Sequence, residues 1–114
     1  MKSKELNLLL VENFPSLYEK YIEEVSWQEG NDTGSHIVYG DVFTPYLIQC
    51  IEDNKQDDII SMFNYIEMLL ELGDSYTDEV VAFSIIESIE YLVKEKVQLI
   101  KLLGEKSKKI LNEF

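Results

Sequence analysis

The chain has 114 residues, of which 46% are hydrophobic, and it carries a formal net charge of −12. This length is typical of one ordinary domain that buries its own apolar core. The hydrophobic fraction excludes a disordered chain, and no apolar run approaches the ~20 residues of a membrane span. The composition therefore predicts a single domain over residues 1–114.

The charge is unevenly distributed along the chain. Residues 1–93 carry 4 lysines and 19 acidic residues, whereas residues 94–114 carry 6 lysines and 3 glutamates. An acidic body repels nucleic acid and anionic membranes, and it attracts basic proteins. We therefore expect a basic protein partner, with neither nucleic acid nor membrane as the target. The simpler interpretation, that the acidity keeps the protein soluble, stays open.

Features of the N-terminal region and the cysteine content suggest a compartment. Glu12 and Asn13 interrupt the short apolar run near the start, and no small-residue cleavage site follows, so we expect no signal peptide. Cys50 is the only cysteine and cannot form an internal disulfide, which fits a reducing cytosol. We therefore expect a cytoplasmic protein, and the single alanine among many Ile, Lys, Glu and Asn residues is associated with AT-rich bacterial genomes.

Apolar residues at helical spacing predict the first two helices. The first runs from about Ser3 to Asn13, and Pro15 is expected to begin the second. The predicted inward face of the second helix consists of Leu17, Tyr18, Tyr21, Ile22 and Val25. Trp27 is expected to close this helix, and the glycine-containing residues 28–35 to form a loop.

The next stretch predicts an irregular joint before the third helix. Residues 36–39 are β-branched and aromatic, and because no partner strand exists we expect an extended buried segment there. Residues 40–41 are expected to form a turn. Thr44 is then the predicted N-cap of a third helix that begins at Pro45 and ends near Asn54.

Two longer helices are predicted to form an αα-hairpin. The fourth begins at Gln56 or Asp57 and stops before Gly73, and the fifth begins at Ser75. The fifth helix is apolar around more than half of its circumference and is expected to be the most buried. The fold prediction is all-α, with five or six helices in a compact bundle or a short α-solenoid-like array of αα-hairpins.

The lysine-rich segment 94–114 is predicted to be helical, with a kink or break at Gly104. Its lysines alternate with apolar residues, so it could lie on a membrane surface, pack on the acidic body or pair with a second subunit. The opposite charges of the segment and the body favour packing on the body or pairing with a second subunit over a membrane surface. The alternative function is a self-associating regulatory or scaffold protein that forms a homodimer through this helix.

The residues that could carry chemistry are few. His36 and Cys50 are the only histidine and cysteine, and 14 positions separate them, so a nucleophilic pair is conceivable. Cys50 lies on an apolar stripe, however, where free cysteines are packing groups. One histidine and one cysteine cannot build a zinc site without carboxylates, and no phosphate-binding loop occurs. We predict no enzyme, metal site or cofactor.

The hairpin instead provides a predicted partner-binding surface. Two pairs of glutamates lie three or four residues apart on the predicted helices, and repulsion within each pair costs a few tenths of a kcal/mol. Tyrosines are enriched at protein interfaces. A solvated face would explain the glutamates, and packing at the edge of the core would explain the tyrosines. The predicted partner-binding residues are Glu67, Glu71, Glu87, Glu90, Tyr65 and Tyr76.

The run GDVFTPYL, from Gly40 to Leu47, resembles a group of small, acidic, helical bacterial proteins. Some of these are regarded as immunity proteins of contact-dependent or polymorphic toxin systems. The resemblance covers about residues 5–93, and it implies a turn before a helix, a long acidic αα-hairpin and an immunity-like role. It carries over no catalytic residue. The predicted function is a non-enzymatic protein–protein interaction module that neutralises a basic, toxin-like partner through an acidic helical face.

Overall fold

The computed structural model describes all of residues 1–114, and it is all-helical with no β-strand. The seven helices are α1 Ser3–Asn13, α2 Tyr18–Val25, α3 35–52, α4 Gln56–Glu71, α5 75–95, α6 Val97–Ile100 and α7 Glu105–Leu111. The predicted all-α class is confirmed. The number of helices exceeds the predicted five or six because the lysine-rich C-terminal segment forms two short helices.

Helix α3 occupies the stretch for which the sequence predicted an extended segment and a turn. It consists of Ser35–Val38, a π-helical stretch Tyr39–Phe43 and Thr44–Glu52, without interruption. Both local predictions are therefore wrong. The β-branched and aromatic residues adopt helical backbone because Val38 and Tyr39 are fully buried in the core, and tertiary packing overrides a modest intrinsic preference.

Pro45 lies inside α3 rather than at its first turn. The π-helical stretch just before it widens the helix, and the Thr44 amide donates to the carbonyl of Tyr39, five residues earlier. Proline lacks an N–H and its ring clashes with the preceding turn of a regular α-helix, so a wider turn at this point accommodates it. Thr44 is consequently not an N-cap, and its hydroxyl donates to the Ser84 carbonyl of α5 at 2.7 Å.

The predicted hairpin of α4 and α5 is present. Gly73 follows α4 with a φ of +68°, the left-handed conformation typical of a helix C-cap. Asp74, rather than Ser75, caps α5 by accepting a hydrogen bond from the Thr77 amide at 3.0 Å. Helix α5 consists of Ser75–Val80, a second π-helical stretch Val81–Ile86, and Glu87–Glu95.

The most buried helix is α3 and not α5. Nine of the 18 residues of α3 are buried, against eight of 21 in α5. The reason is position, because α3 contacts α1, α2, α4 and α5, whereas the outer side of α5 leaves Phe83 57% and Tyr91 56% exposed.

The C-terminal segment folds back onto the hairpin. Helix α7 packs against α4 and against the π-helical stretch of α5. Leu99, Leu103 and Leu111 are buried and belong to the same apolar cluster as the rest of the core. The predicted break at Gly104 is present as the start of α7. No helix in the molecule is long and apolar enough to cross a membrane.

A buried polar network fixes the loop that connects α2 to α3. The Asn7 side chain is fully buried, and its amide donates to the carbonyls of Asn31 at 3.1 Å and Thr33 at 2.6 Å. The Ser35 hydroxyl donates to the Asn7 side-chain oxygen at 2.8 Å. The hydroxyl of Tyr21, on α2, donates to the Asn31 side chain at 2.7 Å. Helices α1, α2 and α3 are thereby tied together at one end.

Candidate partner-binding surface

Glu67, the first of the predicted partner-binding residues, is engaged inside the molecule. Its carboxylate accepts hydrogen bonds from the Lys106 amide at 3.1 Å, the Ser107 amide at 3.0 Å and the Ser107 hydroxyl at 2.8 Å. These amides lie in the first turn of α7, where amides lack helical partners and favour an anion. Glu67 thus joins α4 to the lysine-rich C-terminal helix.

The close approach of Glu67 depends on Gly104. A Cβ atom at this position would overlap the carboxylate of Glu67, so a larger residue would displace that carboxylate. Partial burial alone would raise the pKa of Glu67, but the hydrogen bonds from Lys106 and Ser107 outweigh it and lower the pKa below its ordinary value of 4.5. The carboxylate is therefore held in its charged form.

The other three predicted glutamates differ in their surroundings. Glu71 and Glu87 are exposed and make no ion pair or hydrogen bond through their side chains. Glu90 is half-buried and accepts a hydrogen bond from the Lys94 ammonium at 2.9 Å, four residues along α5. Glu71 and Glu87 are thus the predicted carboxylates that are free to meet a partner.

Neither predicted tyrosine presents a free hydroxyl. Tyr65 is only 4% exposed, and its hydroxyl shares a hydrogen bond of 2.8 Å with Tyr39, so burial raises the pKa of both phenols. Tyr76 is half-buried, and its hydroxyl accepts from the Ser35 amide at 3.1 Å and shares a hydrogen bond with Ser3. Both residues fasten helices to one another in this conformation.

A groove of about 430 Å³ lies between α5 and α7 and carries charges of both signs. Asp78 and Glu79 line it from α5, and Lys106 and Lys109 line it from α7. No ion pair within 4.0 Å joins the two sides. The groove is therefore the open seam along which the basic C-terminal helix rests on the acidic hairpin.

The arrangement of His36 and Cys50 does not support nucleophilic chemistry. Both lie on α3, and 14 residues of helix separate them by about 20 Å along its axis. The His36 Nδ1 atom is 2.9 Å from the hydroxyl of Ser84, but no carboxylate orients the ring. Cys50 is 1% exposed, and burial raises the pKa of its thiol. The conceivable His36–Cys50 pair is excluded by this geometry.

A second group of exposed apolar residues lies on a helix that the sequence analysis did not select. Tyr18 is 54% exposed and Ile22 39% exposed on α2, and Trp27, just beyond its end, is 73% exposed. Glu19 and Glu23 on the same helix are exposed as well. We define these five residues, Tyr18, Glu19, Ile22, Glu23 and Trp27, as the α2 face.

The amphipathic pattern of α2 was ambiguous because it contains two adjacent apolar stripes. Leu17, Tyr21 and Val25 recur every four residues and are buried, whereas Tyr18 and Ile22 form a second stripe one position later. Tyr18 and Ile22 were predicted to line the inward face, and their exposure corrects this, whereas α2 ends at Val25, two residues before the predicted Trp27. The buried stripe is the one that joins the core and that the hydrogen bond from Tyr21 to Asn31 supports, and no sequence spacing contains that signal.

Comparison with known proteins identifies the family but not an activity. Neither the curated proteins nor the solved structures contain a significant match to this chain. One family model, described as a domain of unknown function, matches residues 7–114. The match includes all of the helices except the first turn of α1. The chain therefore belongs to the DUF7674 family.

Proposed function

We propose that this protein is a non-enzymatic interaction module that binds and neutralises a basic protein, in the manner of an immunity protein. The observation that carries the proposal is the unpaired negative charge of its surface. The chain has 22 acidic residues, and only Glu90 and Glu105 pair with lysine side chains. Glu67 and Asp74 are used within the fold, and most of the remaining carboxylates are exposed and direct their field outward.

Unpaired charge of one sign acts on a partner before contact. A basic protein approaching this surface is steered by a long-range attraction that can raise the association rate toward 10⁸ to 10⁹ M⁻¹s⁻¹ at low salt. Glu71 and Glu87 contribute to this field from the hairpin. The same field repels nucleic acid and anionic lipid. As parts of the proposal, we place the protein in the bacterial cytoplasm and assign it no cofactor.

The docked C-terminal segment weakens the alternative of self-association through that segment. Leu99, Leu103 and Leu111 are buried against the rest of the chain, so the apolar side of this segment is already covered. Sedimentation of the full chain tests this alternative directly. A concentration-dependent dimer that dissociates when residues 94–114 are removed would support self-association instead.

The proposal is tested with a basic protein, which is sought first among the products of the genes adjacent to this one. Stopped-flow association should give a rate constant that falls steeply as salt rises from 0.02 to 0.5 M, because ions screen the attraction. Toxicity of that protein in a bacterial host should be suppressed when this chain is co-expressed. Absence of binding, or a rate independent of salt, would overturn the proposed function.

A further inference from the structure

The α2 face combines apolar area with negative charge in a regular arrangement. Residues three and four apart on a helix are neighbours, so Tyr18 and Ile22 form one row, and Glu19 and Glu23 form the next. The chain continues to turn after α2, since the Ser26 amide donates to the Ile22 carbonyl. Trp27 therefore follows Glu23 along the second row. The two carboxylates thus lie beside an apolar row, and the exposed indole follows them in their own row.

Nothing in the molecule covers this face. Helix α2 packs on α3 and on the loop that precedes it, through the opposite side, which contains Tyr21 and Val25. Neither Glu19 nor Glu23 has an ion-pair or hydrogen-bond partner. Two like charges four residues apart repel each other at a cost of a few tenths of a kcal/mol. A positive charge on a partner would be attracted to both of them.

The face is also held in position from behind. Tyr21, on the buried side of α2, is 1% exposed and is hydrogen-bonded to Asn31, whose carbonyl accepts from the buried Asn7 amide. Aromatic side chains on a fixed backbone lose little conformational entropy when they bind, and Trp and Tyr are the residues most enriched at interface hot spots. The α2 face therefore has the rigidity that docking requires.

The local charge specifies the chemistry of the occupant. Residues 16–32 contain five carboxylates and a single lysine, Lys20, which gives a local net charge of −4. A nucleic acid or an anionic membrane would be repelled there. A polypeptide that carries lysine or arginine beside an apolar side chain matches the charge and the apolar area of this face. Its cations would contact the carboxylates, and its apolar group would contact the exposed apolar side chains.

We propose that the α2 face is the docking surface for a basic, apolar-anchored segment of the partner protein. This inference rests on the proposed function and deepens it by naming the surface. The acidic hairpin, including Glu71 and Glu87, steers the partner, whereas the α2 face makes the short-range contacts. Trp27 lies beside Glu23 and would become covered in the complex.

Trp27 is the only tryptophan in the chain and reports on its own surface. The probe is a synthetic amphipathic helical peptide of lysine and leucine, with lysine–serine and glutamate–leucine peptides of equal length as controls. We expect the lysine–leucine peptide to shift Trp27 emission to the blue and to bind at least tenfold more tightly than either control. Calorimetry gives the affinities independently of fluorescence.

Two charge reversals of equal size separate the α2 face from the hairpin. The Glu19→Lys/Glu23→Lys double variant should lose at least tenfold in affinity for the lysine–leucine peptide. The matched Glu71→Lys/Glu87→Lys variant, with the same change in net charge, should stay within about threefold of the unchanged protein. All four side chains are exposed, so both variants should fold, and circular dichroism melting checks this.

The possible outcomes distinguish a wrong docking surface from a wrong proposed function. Equal losses in the two variants, or a larger loss in the hairpin variant, would overturn the α2 face as the docking surface while leaving an acidic interaction module in place. Equal binding of the lysine–serine peptide would show that charge alone acts, and would overturn the apolar contact. Failure to bind any basic peptide would count against the proposed function itself. Dimerisation that buries Trp27 without peptide would assign the face to a second copy.

Discussion

Helices α2 and α7 are both short and both depend on a polar contact with the rest of the chain. Helices of eight and seven residues are marginal in isolation. Helix α2 is fixed by a neutral network behind it, from Tyr21 through Asn31 to Asn7, and the carboxylates of Glu19 and Glu23 stay free. Helix α7 is instead fixed by a carboxylate, because Glu67 from α4 accepts hydrogen bonds from its first turn.

This difference teaches how an acidic chain divides its charges. A carboxylate that binds the N-terminus of a neighbouring helix is part of the fold. Its hydrogen bonds stabilise the anion and leave it less available to a partner. A carboxylate on an open helix surface keeps its field directed outward. Spacing within a helix cannot distinguish Glu67 from Glu23, because the deciding neighbour belongs to another part of the chain.

The largest effect is expected from a substitution that disrupts the hydrogen-bond network behind α2. Replacing Asn7→Ala removes the donor to the Asn31 and Thr33 carbonyls and leaves the Ser35 hydroxyl with only the Ser3 carbonyl, and each unsatisfied buried group costs about 1–3 kcal/mol. We expect the free energy of unfolding to fall by about 3 kcal/mol in urea denaturation. The matched change Asn13→Ala, at an exposed asparagine of the same helix, should alter it by less than about 0.5 kcal/mol. Equal effects would contradict the proposed role of the network.

The next largest effect is expected from a substitution that removes the hydrogen bonds between Glu67 and α7. Glu67→Ala removes the acceptor of three hydrogen bonds, two of them from amides, and hydrogen bonds to charged groups contribute about 1.5–3 kcal/mol. Because the site is partly exposed, we expect a loss of about 2 kcal/mol by urea denaturation. Glu71→Ala, on the same helix, should cost less than about 0.5 kcal/mol.

A double-mutant cycle sharpens this result. Gly104→Ala displaces the same carboxylate, so it should destabilise the unchanged protein but have little further effect in the Glu67→Ala background. The two losses should therefore be strongly non-additive. Additive losses would show that Gly104 and Glu67 act separately.

A smaller effect is expected from pH. Because the folded-state pKa of Glu67 lies below its ordinary value of 4.5, its charge contributes stability that is fully present above pH 4.5. That contribution should be lost as the pH falls through the lowered pKa. Amide chemical shifts of Lys106 and Ser107 should titrate together in this range. They should not titrate there in the Glu67→Gln variant, and identical titrations would remove Glu67 as the cause.

The smallest effect concerns the unpaired carboxylates of α2. Glu23→Gln relieves repulsion from Glu19, so thermal unfolding at low salt should show a gain of a few tenths of a kcal/mol. Glu90→Gln, which breaks the pair with Lys94, should give a loss of similar size. Both differences should shrink in 1 M salt. A loss for Glu23→Gln would indicate an unseen partner for this carboxylate within the fold.

Sequence alone determined the helical class and most helix positions, because these follow from local spacing and from Gly73 and Gly104 as helix boundaries. It could not anticipate α3. Local signals at residues 36–45 favour an extended segment, a turn and a proline-started helix. Burial of Val38 and Tyr39 in the core overrides these signals, and a π-helical stretch accommodates Pro45.

The candidate surface was decided by tertiary structure. The sequence predicted a surface of carboxylates and tyrosines on the hairpin, and the surface that we propose consists of similar residue types on α2. Tyr65 is buried, and Glu67 is hydrogen-bonded to the amides of α7. Tyr18 and Ile22 are exposed because Leu17, Tyr21 and Val25 form the side of α2 that joins the core. Composition and periodicity specify which residues can form helices and carry charge. Which of two adjacent stripes is covered depends on contacts between residues far apart in the chain, and only the folded molecule contains them.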